Sequence, residues 1–298
     1  MSTSSHAFEE GLADLLWSLW AEFGVSGVVP PWHRDHYVDP EALVLATAAL
    51  GDLDPRLRDE AIDWVVRYGT QLSKARLKNL RAAWHVGDDE GFVRFAATVN
   101  AHAKLGWPAG GEPLPFTPRG HVRLDDLSRP SLLTLRTRAV FGIGARAEII
   151  RVFLGDRHPM TAAALATDTS YGKRNVRNAL ETLRSAGLVD AVRVANADHF
   201  RLLKARAVIE LVGPVPTVFP RWHRLLPLIL RLRQSIRGAA GRSALEHALA
   251  ARRFVETEGP ALREAGSIPV LPAGPDAWPV FTEWSARWIR TVGRTDEG

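Results

Sequence analysis

Within residues 145–204, the hydrophobic spacing changes from a helical period to a two-residue period. Two helices are predicted first, over 145–154 and 162–166, and a tight turn at 167–169 follows them. A longer helix is predicted to open at Ser170 and run to residue 185, because apolar side chains recur there at positions i, i+4 and i+7. A glycine two residues beyond its end is typical of a helix C-terminus.

The segment after this helix alternates between two faces. Two strands are predicted, over 188–195 and 199–203, with a turn at 196–198 between them. A helix, a short helix, a turn, a longer helix and a β-ribbon in this order predict a winged helix-turn-helix unit.

Two stretches of this unit carry a resemblance to a known family. Residues 161–170 read TAAALATDTS, and residues 176–189 read VRNALETLRSAGLV. Together they resemble the winged-helix domain of bacterial transcription regulators of the MarR and ArsR type. The resemblance covers about a fifth of the chain. It implies that the longer helix enters the major groove and that the ribbon lies along the phosphate backbone.

The outward face of the longer helix carries side chains suited to DNA. Arginine can bind guanine and asparagine can bind adenine with two hydrogen bonds each, while lysine suits a phosphate. Backbone N–H groups at the start of a helix favour a phosphate as well. No acidic residue occurs between Asp168 and Glu181, although an ordinary solvated helix face remains the alternative. The predicted DNA-binding residues are Thr169, Ser170, Tyr171, Lys173, Arg174, Arg177, Asn178, Arg193 and Arg201.

The charge of the chain is concentrated in the same region. Residues 1–128 hold 12 Lys+Arg against 18 Asp+Glu, whereas residues 129–210 hold 14 against 7 and residues 211–298 hold 12 against 8. The central part also lacks tryptophan, which occurs on both sides of it. A basic block of domain size indicates a polyanionic partner.

These two partitions predict three units in a mainly α fold. A winged helix-turn-helix domain of three helices and a two-stranded wing is expected over 130–210. An N-terminal helical domain over 1–120 and a C-terminal helical domain over 217–298 are expected to flank it. The C-terminal domain is the expected site of dimerisation or sensing.

Composition and motifs exclude several classes of protein. The chain has no cysteine, which excludes disulfides and thiolate metal sites. No run reaches the ~18 apolar residues of a membrane span, and acidic residues at positions 9, 10 and 14 do not fit a signal peptide. We therefore expect a cytoplasmic protein without membrane contact.

Two short motifs indicate a nucleotide site and a metal site only weakly. Residues 142–147 superficially match a dinucleotide fingerprint, but the upstream strand that this motif requires is not predicted. His33, Asp35 and His36 could supply three metal ligands, but no fourth has a convincing spacing. No metal, cofactor or catalytic activity is predicted.

The sequence thus predicts a transcription regulator that binds double-stranded DNA as a homodimer. Repression is predicted in preference to activation. A small-molecule effector is a further expected partner. Two alternatives stay open. In one, the winged helix binds another protein and not DNA. In the other, the N-terminal unit is an enzyme with a polar pocket around residues 33–36.

Overall fold

The computed structural model describes residues 3–27, 33–84 and 90–292. These residues form a mainly helical fold with one small antiparallel sheet, as predicted. The helices are α1 Thr3–Glu22, α2 Pro40–Ala49, α3 Pro55–Tyr68, α4 Lys74–Trp84, α5 Glu90–Ala103, α6 Leu133–Phe141, α7 Ala145–Gly155, α8 Ala162–Thr169, α9 Lys173–Ser185, α10 Ala205–Val212, α11 Trp222–Gly238, α12 Ala244–Glu264 and α13 Ala277–Thr291. The strands are β1 Met160–Thr161, β2 Val189–Val194 and β3 Ala197–Leu202. Among the described helices, none is both long and apolar enough to cross a bilayer.

Hydrogen bonds to side chains cap the start of several helices. Asp39 accepts a hydrogen bond from the Ala42 N–H at 3.2 Å, and the proline after it opens α2. Ser73 caps α4 through the Arg76 N–H at 3.2 Å. Thr161 caps α8 through the N–H three residues further on. These side-chain caps set where α2, α4 and α8 begin. Helices α4 and α8 in turn position the predicted DNA-binding residues.

The buried apolar side chains form two clusters. The larger core combines α1–α5 with α11–α13 and contains Trp20, Trp64 and Trp222. The predicted N-terminal and C-terminal segments therefore share one core. In that core α1 packs tightly on α13, since a Cβ at Gly11 would lie 2.7 Å from the Ile289 Cγ2. The smaller core is built from residues between 133 and 212, which is close to the predicted central unit.

The sheet lies in the smaller core with strand order β1-β3-β2. Both pairings are antiparallel, and β1, which the sequence did not predict, covers the second edge of β3. The hairpin turn consists of residues 195–196, with Ala195 in the left-handed region at φ 50°. The turn predicted at 196–198 is wrong by one residue at its start, since Ala195 already belongs to the turn, and by two at its end, because Ala197 and Asp198 already pair with β2.

Six buried charged side chains join the two cores. They come from helices α4, α6 and α7 and from the start of α2, and they balance as three arginines and three carboxylates. The set is Asp39, Glu41, Arg76, Arg138, Glu148 and Arg151. We call it the buried ion network.

Arg76 and Arg138 connect the members of the network. Arg76 contacts an Asp39 carboxylate oxygen at 2.5 Å and a Glu41 oxygen at 2.7 Å. Arg138 contacts the other Glu41 oxygen and a Glu148 oxygen, each at 2.7 Å. Since α6 and α7 belong to the central region and α2 and α4 to the larger core, Glu41 links the two parts electrostatically. Each carboxylate is held by at least one guanidinium, which is what burial of a charge requires.

Candidate nucleic-acid interface

The orientation of α9 follows from its apolar stripe. Val176, Leu180 and Leu183 are buried in the smaller core. The opposite face is therefore turned outward. Four of the predicted DNA-binding residues are exposed on it, namely Lys173, Arg174, Arg177 and Asn178.

This exposed face is cationic and is not neutralised within the described part of the chain. No ion pair there involves Lys173, Arg174 or Arg177. Glu181 lies one turn after Arg177 and is exposed, but the two side chains form no ion pair. An exposed helix face with three unpaired cations is available to a polyanion.

The turn before α9 differs from the prediction. α8 continues to Thr169, where the sequence predicted a turn, and the Thr167 and Thr169 hydroxyls donate to backbone carbonyls one turn earlier. Ser170 then adopts a left-handed conformation at φ 57°, and Gly172 becomes the N-cap of α9. The predicted start of the longer helix at Ser170 is therefore wrong. The glycine sits at a cap, where it costs little, and not inside the first turn.

This shift removes two residues from the predicted contact set. Thr169 is fully buried, and its Oγ1 donates to the Leu165 carbonyl at 2.6 Å. Tyr171 is also buried, and its hydroxyl is hydrogen-bonded to the Ser73 hydroxyl at 2.5 Å. Burial raises the pKa of the Tyr171 hydroxyl, while the bond to Ser73 opposes that shift. Neither side chain can reach DNA in this conformation. Ser170 stays half-buried at the turn.

The turn is held by α4, a contribution that the sequence did not predict. The Arg76 Nε donates to the Thr169 carbonyl at 3.0 Å, and the Asn79 Nδ2 donates to the Ser170 carbonyl at 2.9 Å. Together with the bond between Ser73 and Tyr171, these contacts fix the start of α9 against the larger core. The only local signal was Ser73 as a helix cap, which gives no information on a partner 98 positions away.

The two predicted hairpin arginines lie on different faces of the hairpin. Arg193 pairs with Asp198 and Arg201 pairs with Asp190 across the strands, at 3.2 Å and 3.7 Å. Because side chains alternate along a strand, Arg193 shares the face of the buried Val189, and Arg201 lies on the other face. Both ion pairs are exposed, so each costs little to exchange for a phosphate contact.

Two further exposed side chains extend the face of α9. Asn175 and Arg184 are exposed and were not part of the predicted set. Asn175 comes directly before the apolar stripe and Arg184 directly after it, so the helical spacing could have identified both. Arg184 lies in the last turn of the helix, away from its cationic start.

The histidines considered as metal ligands are packed inside the larger core. His33 and His36 are buried with their rings 5.3 Å apart, and the His33 Nδ1 is 2.8 Å from the Ser18 Oγ. The His33 ring also lies against Trp222. Burial lowers the pKa of His36 and favours its neutral form. Over residues 3–27, 33–84 and 90–292, no group of three or more histidines and carboxylates is arranged to hold a metal ion.

Electrostatics of the buried ion network stabilise this arrangement around neutral pH. Burial alone would raise the pKa of Glu148, but Arg138, Arg76 and Arg151 outweigh it and lower that pKa to about 2. Burial would raise the pKa of Asp39 as well, and Arg76 holds it well below its usual range. Both carboxylates are therefore charged at neutral pH.

Comparison of the chain with protein-family models, with curated proteins and with solved structures gave no match. The resemblance to winged-helix regulators therefore stays a prediction from the residues.

Proposed function

We propose that this protein is a transcription regulator that binds double-stranded DNA with α9 in the major groove. One observation carries the proposal, namely the outward face of α9 with three cations that have no acidic partner among the described residues. The order α7-α8-α9-β2-β3 supports it, because the predicted winged helix-turn-helix unit has the same order of three helices and a β-ribbon.

The side chains of α9 divide into two roles in this proposal. Arg177 and Asn178 lie one turn into the helix and are suited to base edges, since guanine and adenine each accept a bidentate contact. Lys173 at the start of the helix is suited to a phosphate, as a flexible point charge. On the hairpin, Arg193 and Arg201 would contact the backbone after leaving their exposed aspartate partners.

A homodimer that represses transcription is the form we propose for the regulator. One helix in the groove reads too few base pairs for useful genomic specificity, and two copies on half-sites about 34 Å apart solve this problem. Occupation of such a site would exclude other proteins from the same DNA.

A protein-binding role is the second candidate, and one observation favours it. Val192 and Val194 on the edge strand β2 are 40% and 52% exposed, which is unusual for strand valines and suits contact with a protein. Salt dependence separates the two roles. Binding to DNA weakens steeply with salt because cations are released from the phosphates, whereas an apolar contact does not.

Selection of bound fragments from a random duplex library tests the proposal. The full-length wild type is compared with a triple variant, Lys173→Gln, Arg174→Gln and Arg177→Gln. The matched control replaces three exposed arginines of α12 by glutamine and removes the same charge. The control positions are Arg252, Arg253 and Arg263.

The wild type and the α12 control are expected to enrich the same motif, and the α9 variant to enrich none. For the selected duplex, the slope of log K against log salt should be shallower by about 2 to 3 in the α9 variant. Absence of any enriched motif with the wild type, or equal enrichment by the α9 variant, would overturn the proposal.

A further inference from the structure

A cavity of about 880 Å³ lies where the two cores meet the turn before α9. Its walls come from α4, from the end of α8 and the following turn, and from α11 and α12. Trp84, Tyr171 and Leu228 line it from these three directions. A volume of this size lies within the range of small-molecule binding sites, about 300–1,000 Å³.

Most of the wall is apolar. Leu80 and Trp84 face it from α4, Phe219 from the segment before α11, and Leu225 and Leu228 from α11 itself. Such a surface favours a ligand with a hydrocarbon or aromatic skeleton, because the skeleton leaves water on binding.

The polar part of the wall is unbalanced in charge. Arg221, Arg224 and Arg231 line the cavity, whereas Glu264 is the only carboxylate of its lining. Arg221 and Arg224 share one oxygen of Glu264, at 2.6 Å and 2.5 Å, and both also contact Asp168, which lies outside the lining, at 3.8 Å and 3.0 Å. Arg231 is held from behind by Glu258 through two hydrogen bonds at 2.8 Å and 2.9 Å. The side of the cavity near α11 therefore presents guanidinium N–H groups suited to an anion.

Two lining residues also carry a buried nitrogen with no hydrogen-bond partner in the described part of the chain. They are Trp84, through its Nε1, and His223, through its Nε2. Trp84 is only 8% exposed. Burial lowers the pKa of His223 to about 3, so its ring is neutral at neutral pH. Since both nitrogen atoms are themselves buried, they do not open onto the cavity, and the charged contacts available to a ligand come from the arginines.

We propose that this cavity binds a small apolar organic acid. The skeleton of the ligand lies against Trp84, Phe219 and Leu228. Its carboxylate accepts hydrogen bonds from Arg221 or Arg224 in place of the one Glu264 oxygen that the two arginines share. The proposal goes beyond DNA binding and does not depend on it.

Three probes with one skeleton test the charge preference on the full-length protein without DNA. They are 4-phenylbutyrate, 4-phenyl-1-butanol and 4-phenylbutylamine, which differ only in carrying an anionic, neutral or cationic end. Isothermal titration calorimetry is expected to give one site per chain for the acid. Its affinity should exceed that of the alcohol and of the amine by about tenfold or more.

Two variants test whether the acid binds in this cavity. Ala83→Phe fills the cavity from an exposed position of α4, and Arg224→Gln removes one guanidinium. Arg263→Gln is the matched control, because Arg263 is an exposed neighbour of Glu264 that does not line the cavity. Both variants should weaken binding of the acid about tenfold or more, and the control should stay within about twofold. Circular dichroism melting without ligand checks that each variant is folded.

Three results would overturn the proposal: no saturable binding of the acid at millimolar concentration, equal or tighter binding of the amine, or unchanged binding in the folded variants. If one variant does not fold, the other variant and the three probes decide alone.

Discussion

Replacing Arg138 with methionine tests how strongly the buried ion network holds the two cores together. Arg138 donates to both oxygens of Glu41, to Glu148 and to the Gln71 carbonyl, at distances of 2.7 to 3.1 Å. Methionine keeps much of the volume and removes the charge. Glu41 keeps Arg76, and Glu148 keeps Arg151, so each carboxylate loses only part of its compensation.

The expected loss in the free energy of unfolding can be derived in two ways. Removal of one partner from a buried ion pair costs about 3–5 kcal/mol when the other charge is left without compensation, and this range is an upper limit here because Glu41 keeps Arg76 and Glu148 keeps Arg151. Separately, Arg138, Arg76 and Arg151 together hold the pKa of Glu148 at about 2 against an ordinary 4.5, a net effect of about 3 kcal/mol at neutral pH of which Arg138 supplies a part. We therefore expect Arg138→Met to lower the free energy of unfolding by about 2–4 kcal/mol and the melting temperature by roughly 4–16 °C.

The pH dependence gives a second readout with a definite sign. Because the pKa of Glu148 is lowered in the folded protein, its contribution is present above pH 4.5 and is lost as the pH falls towards 2. Without Arg138, burial pushes that pKa up, so the variant starts with less of this contribution. The difference in stability between the wild type and Arg138→Met should therefore shrink below about pH 4.5.

Urea unfolding of the full chain, followed by circular dichroism and by tryptophan fluorescence, measures both effects. Arg146→Met is the matched control, since Arg146 is exposed on α7 and has no ion pair among the described residues. It should change the free energy of unfolding by no more than about 0.5 kcal/mol. A loss below about 1 kcal/mol in Arg138→Met, or a difference that stays constant from pH 7 to pH 3, would refute the reasoning.

The remaining predictions concern α9 and the turn before it. Arg177→Ala is expected to cost about 1–3 kcal/mol on the selected duplex and to relax base preference, as measured by fluorescence anisotropy on selected and random DNA. Lys173→Ala should weaken binding to both duplexes alike and reduce the salt slope by about 1; equal, small effects of the two variants would contradict their separate roles. Tyr171→Phe should lower stability by about 1 kcal/mol through loss of the bond to Ser73, and should leave the salt slope of DNA binding unchanged. A weaker affinity of the folded variant for the selected duplex would contradict the placement of Tyr171 outside the contact set.

The sequence predicts the face of α9 correctly because the signal there is local and strong. Val176, Leu180 and Leu183 define the buried side, and every polar residue of the first two turns then lies outside. The start of the same helix is predicted wrongly. Serine is a favoured N-cap by type, yet Ser170 adopts a left-handed conformation and Tyr171 is held by Ser73 from a distant helix. The local spacing of apolar and polar residues gives no information about such a long-range contact.

Neither the buried ion network nor the shared core could be predicted from the sequence. Charged residues within a helix are normally exposed, so Arg138 in α6 reads as an interruption of an apolar segment and not as a buried partner. Its partner Glu41 lies 97 positions away. In the same way, charge and tryptophan content divide the chain into thirds, but they hold no information about which thirds pack together. The contact of α1 with α13 depends on close approach at Gly11, which only tertiary structure reveals.

The turn of residues 170–172 connects α4, the buried ion network and the cavity. It is hydrogen-bonded by α4, it is joined to the buried ion network through Arg76, and it forms one wall of the cavity. Trp84 at the end of α4 forms another wall of the same cavity. A ligand that moves α4 relative to α11 would therefore also move the start of α9, because three hydrogen bonds tie that start to α4. Since such coupling is reciprocal, DNA that selects one position of α9 would change the affinity of the cavity by the same factor.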